Sequence, residues 1–371
     1  MANSNPEEWP AVARIAWLGG GTVAVSNPGS ATVAVGAGLN GLVLGELKLP
    51  AFGSFFPVLT HAGVNVVGAT FIQSADELAG LVPPEFRALA PAAEWRVWQA
   101  GQKWRQVAHG ASEHDAMHLM DIASRLASGL RYSESRLGQL AAAYSQQLRS
   151  RAAQGNLSEY VRFKDGNSPP VYMAIHALFW ELAVLRDTLA EFAARYSFRF
   201  DDITTMRGLL SRLRKAMNAG ALQDELVAIG DEETGGWVAV FTAYRNLFTH
   251  AAPMEQAAGV AFAVQDYRQL TSDVRLPCIY YPLPGDAKGI MKQRSKGDLY
   301  PSFEAFIAAS SGKKPDRSNE PDALDYLASA VNKLGELAMR LLIHSPVAPK
   351  MIELTDKDLR GPIEIKQKWS K

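Results

Sequence analysis

Arg245 and His250 stand five residues apart in the run Arg245-Asn246-Leu247-Phe248-Thr249-His250, within a stretch whose apolar spacing reads as an amphipathic helix. A guanidinium can grip a phosphate through paired hydrogen bonds, and an imidazole can move protons near neutral pH. Side by side, the two groups suit metal-free cleavage of RNA. On an α-helix, residues i and i+5 lie about 140° apart, so both can line one rim of a groove. Asn246, at i−4 from His250, is its near neighbour on the same face.

The elements that must position these groups follow from periodicity. Ile175, Leu178, Phe179, Leu182, Leu185, Leu189 and Phe192 recur at helical spacing and predict a long helix over 171–196. A second helix is expected over 204–229, interrupted near Asn218-Ala219-Gly220. A third, carrying the motif, runs from Thr234 to the stop at Ala252-Pro253. Residues 260–281 read as strands, and 282–321 as a basic, loop-rich stretch with Lys288, Lys292, Arg294, Lys296, Lys313, Lys314 and Arg317. A last helix spans about 322–344, with Leu324, Leu327, Val331, Leu334, Leu337 and Leu341 on one stripe.

Ahead of this, residues 11–75 alternate short Val-, Ala- and Thr-rich runs with turn signals such as Asn27-Pro28-Gly29, a pattern of strands and tight turns. From Ser74 the texture becomes helical, with Trp95, Trp98 and Trp104 in one helix and further helices over 112–128 and 133–153, their starts marked by Ser112 and Ser133. The polar segment 155–170, ending in Ser168-Pro169-Pro170, reads as a boundary. The expected organisation is a β-rich module over 1–75, a helical region over 76–168, a helical bundle over 169–345 with an insertion at 254–320, and a polar tail over 346–371. The fold class is α+β, mainly α.

Composition narrows the functions open to this chain. Lys+Arg and Asp+Glu both number 38 of 371 residues, so any contact with nucleic acid must be local rather than a whole-surface attraction. One cysteine, Cys278, excludes an intrachain disulfide framework and a cysteine-rich metal site. Residues 1–10 lack the basic start of a secretory signal, and no apolar run reaches about 18 residues. A cytoplasmic protein without a membrane span is expected.

The pattern R-N-x-x-x-H near a helix end, in the third of four helices with an insertion before the last, resembles the catalytic motif of the HEPN family of helical-bundle ribonucleases. The resemblance covers about 171–344. It implies a four-helix bundle, a metal-independent endoribonuclease and a homodimer whose two motifs face each other, with RNA as substrate and no cofactor. It further implies His250 as general base or acid, Arg245 as stabiliser of charge on the phosphate, and Asn246 as orienter of the phosphate or of His250. An acidic residue from a neighbouring helix assists in some relatives; Glu181 and Asp187 are the candidates here, though a solvated or ion-paired role fits them better. Host defence or toxin–antitoxin control is the usual setting, with an N-terminal module that senses or restrains and a regulatory protein as a further partner.

Other signals weigh less. Gly36-Ala37-Gly38-Leu39-Asn40-Gly41 fits G-x-G-x-x-G, but a strand-like run follows where a dinucleotide site needs a helix, so turns or close packing explain it better. His114 and His118 are spaced as a helical two-histidine metal pair, yet Asp115 stands where a zinc hydrolase would carry Glu and no third ligand is evident, so no metal site is expected. Cys278 reads as a core residue, and the three tryptophans as packing rather than base-stacking groups. Two readings compete with the ribonuclease: an inert helical module that binds a partner protein or nucleotide, and a metal hydrolase at His114 and His118.

Overall fold

The computed structural model describes residues 5–155, 157–216, 220–251, 254, 262–269, 275–310 and 319–351. The N-terminal part holds β1 (Ala13–Leu18), β2 (Val23–Ser26), β3 (Thr32–Gly36), β4 (Val43–Lys48), α1 (Phe55–His61), β5 (Val66–Ile72), α2 (Ala75–Leu78) and β6 (Phe86–Ala88). Two long helices follow, α3 (Arg96–Glu113) and α4 (Met117–Ala153), then β7 (Val161–Phe163) and α5 (Ser168–Phe192). Next come α6 (Met206–Leu213), α7 (Ala221–Ile229), α8 (Trp237–Asn246), β8 (Ala263–Gln269) and β9 (Arg275–Tyr280). The chain closes with α9 (Ala287–Lys296), α10 (Phe303–Ser310) and α11 (Ala323–Leu341). The class is α+β and mainly helical.

Six strands form one antiparallel sheet in the order β4-β3-β2-β1-β5-β6. Alternation along β1 feeds two cores: Ile15 and Trp17 point to the helices, Ala16 and Leu18 to the opposite face under α1. The glycine-rich run is the β3–β4 turn, with no helix after it. Gly38 has φ of +84°, and a Cβ there would collide with the Ser145 carbonyl oxygen of α4. The Leu39 N–H also donates to Ser145 Oγ at 2.8 Å, so these glycines serve a turn, as expected, and also the close packing of sheet on helix.

The expected stripes on α5 and α11 are buried throughout and meet α3 and α4 in one continuous core. Pro169 and Pro170 sit in the first turn of α5 and so begin that helix instead of preceding it. The interruption expected near Asn218 separates α6 from α7, although 217–219 lie outside the described residues. β7, within the segment read as a boundary, pairs with β8 in a small sheet ordered β7-β8-β9.

Three expectations are corrected. The helix expected over 112–128 is broken at His114-Asp115-Ala116, where Asp115 takes a φ of +55°. Ser112 therefore stands near the end of α3, its hydroxyl bonded back to the His109 carbonyl at 2.7 Å. Ser133 does not start a helix either: it is buried in mid-α4, and its hydroxyl donates to the Leu130 carbonyl at 2.7 Å. The stretch read as loop-rich contains α9 and α10, so Lys288, Lys292, Arg294 and Lys296 lie on a helix; Lys313, Lys314 and Arg317 fall outside the described residues. Among the described residues, no helix is long and apolar enough to cross a membrane.

Candidate functional site

The motif begins in the last turn of α8, where Phe241 and Tyr244 face inward, and continues in a π-helical turn over Leu247–Ala251, where Leu247 and Phe248 do the same. The rings of Phe179 on α5 and Phe248 approach to 5.1 Å between centroids, those of Tyr244 and Tyr326 on α11 to 5.1 Å, and those of Phe179 and Phe241 to 5.6 Å. This aromatic backing fixes the inner face of the turn. Arg245, Asn246, Thr249 and His250 are thereby left on the outer side, half-buried or exposed.

The widened turn matters for chemistry. An α-helix would hold Arg245 and His250 about 140° apart, whereas i→i+5 hydrogen bonding carries residues five apart towards one line. Arg245 Nη1 donates to His250 Nε2 at 3.1 Å and to Asn246 Oδ1 at 3.1 Å. Since a guanidinium cannot accept, Nε2 must hold a lone pair, and the neutral imidazole carries its proton on Nδ1. Asn246 thus braces Arg245, and among the described residues no hydrogen bond joins it to the imidazole. The Arg245 guanidinium also lies 5.7 Å from the ring centroid of exposed Trp180 on α5, and its Nε is buried without a hydrogen-bond partner.

Such a pair can exchange partners. A phosphate drawing Arg245 into its own forked contact would release the Nε2 lone pair, leaving an atom able to take a proton from a nearby hydroxyl. Charge is available nearby, because α9 packs against α8 and the π-turn and exposes Lys292 and Lys296. Lys288, on the same helix, is paired with Glu232 at 2.8 Å.

His176 on α5 is a member of the site that the sequence did not reveal. Its Nε2 accepts the Met254 N–H at 2.9 Å, and its ring stacks on Phe248 with centroids 5.7 Å apart, so it anchors the chain just after the motif. Burial lowers its pKa, favouring the neutral, accepting form. Its only sequence signal is its position one turn before Trp180 on the face of α5 that also carries Met173 and Val184, which are exposed with Trp180.

The other candidates lie elsewhere. Asp187 is held by Arg186 at 2.9 Å and accepts the Met206 N–H at 3.1 Å, which ties the start of α6 to α5. Burial raises the pKa of Glu181 and the Arg136 charge of α4 lowers it, so its electrostatic partner is α4 and not the motif. His114 and His118 do not share a helix, and His118 Nδ1 lies 3.1 Å from the Tyr196 hydroxyl. Among the described residues, no group of three or more His, Cys, Asp or Glu side chains could hold a metal ion. Cys278 is buried in β9. Trp104 is fully buried, its indole N–H donating to the Ala338 carbonyl at 3.1 Å, while Trp95 packs on Phe56 and Trp98 lies under Arg87. No family model matches this sequence, and no curated protein or solved structure shows significant similarity to it.

Proposed function

We propose that this protein is a metal-independent endoribonuclease acting through a composite site, with one Arg245–His250 pair from each of two copies of the chain. The reading keeps the HEPN resemblance as its frame, with α5, the α6–α7 pair, α8 and α11 as the four helical elements. The observation that carries it is the 3.1 Å contact between Arg245 and His250 on an outward-facing π-turn. His250 Nε2 takes the proton of a ribose 2′-hydroxyl, Arg245 binds the phosphate as charge builds on it, and the product ends in a cyclic phosphate or 3′-phosphate. The partner copy's imidazole enters the step protonated and gives its proton to the leaving 5′-oxygen, and both imidazoles return to their starting forms by exchanging protons with water. Exposed Met173, Trp180 and Val184 give the second copy an apolar strip beside the motif, and α9 draws the backbone of the RNA towards it. Host defence or toxin–antitoxin control in the cytoplasm is the setting we assign.

A time course on mixed cellular RNA with wild type, Arg245→Ala and His250→Ala, each with and without EDTA, tests the assignment. Cleavage by wild type that survives chelation and disappears in both variants is expected. Intact RNA with wild type, or cleavage that EDTA stops and His250→Ala does not, overturns it. The same apolar strip favours the second reading, a non-catalytic module that docks a protein partner; that reading predicts partner binding lost on Trp180→Ala and unchanged in His250→Ala.

A further inference from the structure

On the far side of α4 from α5, a cleft of about 760 Å³ opens between the sheet and the helix. Ile15 and Trp17 of β1, Ile72 of β5 and Phe86 of β6 give it apolar walls. Gly138 of α4 makes room for Phe86, since a Cβ there would stand 2.8 Å from the ring. Thr70, Glu85, Arg131, Ser135 and Gln139 add polar groups to the lining, and Glu134 is its buried carboxyl, only 3% exposed on the inner side of α4. One of its oxygens holds the sheet margin in place, since β6 is the edge strand and Glu134 Oε1 accepts the Ala88 N–H at 2.9 Å. Its Oε2 makes no hydrogen bond among the described residues and is not sealed off from solvent.

We propose that this cleft binds a small organic ammonium ion, its hydrocarbon or aromatic body between Trp17, Ile72 and Phe86 and its charged nitrogen on Glu134 Oε2. The chemistry follows from what the carboxyl lacks. Burial favours the protonated carboxyl, so an ammonium ion settling on Oε2 would displace that proton and supply the counter-charge that no basic side chain among the described residues provides. Burial drives the group to about 8, Glu85 adds to the rise, and Arg87 opposes it only weakly because Arg87 is itself bound to Glu85 at 2.8 Å. Arg131, the one basic residue on the cleft wall, is exposed and stands over the Tyr132 ring. An anionic ligand would meet the Glu85 carboxylate and forbid Glu134 its charged form, and a neutral one would leave Oε2 without a counter-charge. A monoamine with an apolar body matches both halves of the site.

Calorimetric titration of the full chain with 2-phenylethylamine, and with 2-phenylethanol as its uncharged counterpart, tests this. The amine is expected to bind and the alcohol to bind roughly tenfold or more weakly, the size of a lost charge-assisted hydrogen bond. Glu134→Gln keeps an oxygen for the Ala88 N–H and turns an amide N–H₂ towards the cleft, so the amine should weaken by at least the same factor while the fold persists. Ala142→Trp places a bulky ring on an exposed position of α4 at the cleft and should block the amine with Glu134 intact. No amine binding to wild type, equal binding of amine and alcohol, or unchanged amine binding in both variants would each overturn the proposal.

Discussion

Two polar clusters in this molecule are built to opposite ends. Around Arg245 the donors outnumber their partners: Nη1 is shared between His250 and Asn246, Nε is unmatched, and the imidazole is exposed. Where α4, the end of β9 and the start of α11 meet, the polar groups find their matches. Asp322 Oδ1 accepts the Tyr144 hydroxyl at 3.0 Å and the Tyr281 N–H at 2.8 Å, and its Oδ2 caps α11 through the Asp325 N–H. The Tyr281 hydroxyl continues to Gln147 at 2.6 Å, and Gln147 to Asp165 and Ser168 at the start of α5. A closed network in low dielectric holds elements in register. An open one at a rim is free to exchange partners, which is what catalysis requires.

Substitution should separate the two. His250→Ala is expected to reduce RNA cleavage by roughly 10²–10⁴-fold, the usual range for a general acid or base, and Arg245→Ala comparably. Arg245→Lys should restore little, because a point charge cannot make the forked contact. Melting temperatures of all three should match wild type, since rim groups contribute little to the core. The inner network reverses this pattern. Asp322→Ala strands a buried backbone N–H, a buried hydroxyl and a helix start, and should lose about 2–4 kcal/mol in denaturant unfolding. Asp322→Asn keeps an accepting oxygen and should lose well under half as much. A variant at Asp322 that unfolds normally but cleaves no RNA would erase the contrast.

Proton linkage offers a third test. Burial lifts Glu134 from 4.5 to about 8 and also raises Asp322, with the Asp325 charge adding to the rise at Asp322. For both groups the folded state holds a proton that the unfolded chain has already released. Their contribution is therefore complete below the unfolded values and is lost as pH rises through the folded ones. Unfolding free energy should fall by a few kcal/mol between about pH 5 and 8. Glu134→Gln, which cannot ionise, should flatten much of that slope; an unchanged slope would place the linkage elsewhere.

The same contrast between closed core and open rim governs what could be read from the sequence. The stripes of α5 and α11 are legible because burial there follows the 3.6-residue period, as Leu178, Leu182, Leu185 and Leu189 show. The β3–β4 glycines are legible because a strand follows them. The motif is legible as residue types, but not as geometry: the π-turn that brings Arg245 to His250 seats Phe248 against Phe179, a contact with no local signature. Ser133 misleads because a hydroxyl that bonds back within a helix has the same identity as one that caps it. His176 and Glu134 look like surface groups in sequence, and only the Met254 N–H and the edge of β6 give them partners. The break at Asp115 carries neither Gly nor Pro to announce it.

The smallest expected effect is the one that discriminates best between two roles for Asn246. If its amide oriented the scissile phosphate, removing it should damage cleavage on the scale of Arg245→Ala. The observed contact is different: Asn246 Oδ1 accepts from Arg245 Nη1 at 3.1 Å and leaves the imidazole alone. As a brace, it restricts where the guanidinium waits before substrate arrives. A single hydrogen bond of that kind is worth about 1 kcal/mol, or roughly fivefold in rate. Asn246→Ala should therefore slow cleavage by only that much, and Asn246→Asp, which keeps an accepting oxygen and adds attraction for Arg245, should hold the guanidinium back from phosphate and be the slower of the two. The His250 tautomer, read from ring ¹⁵N shifts, should stay protonated on Nδ1 in Asn246→Ala, because Arg245 and not Asn246 occupies Nε2. Loss of that tautomer, or a hundredfold loss of rate, would return Asn246 to the phosphate.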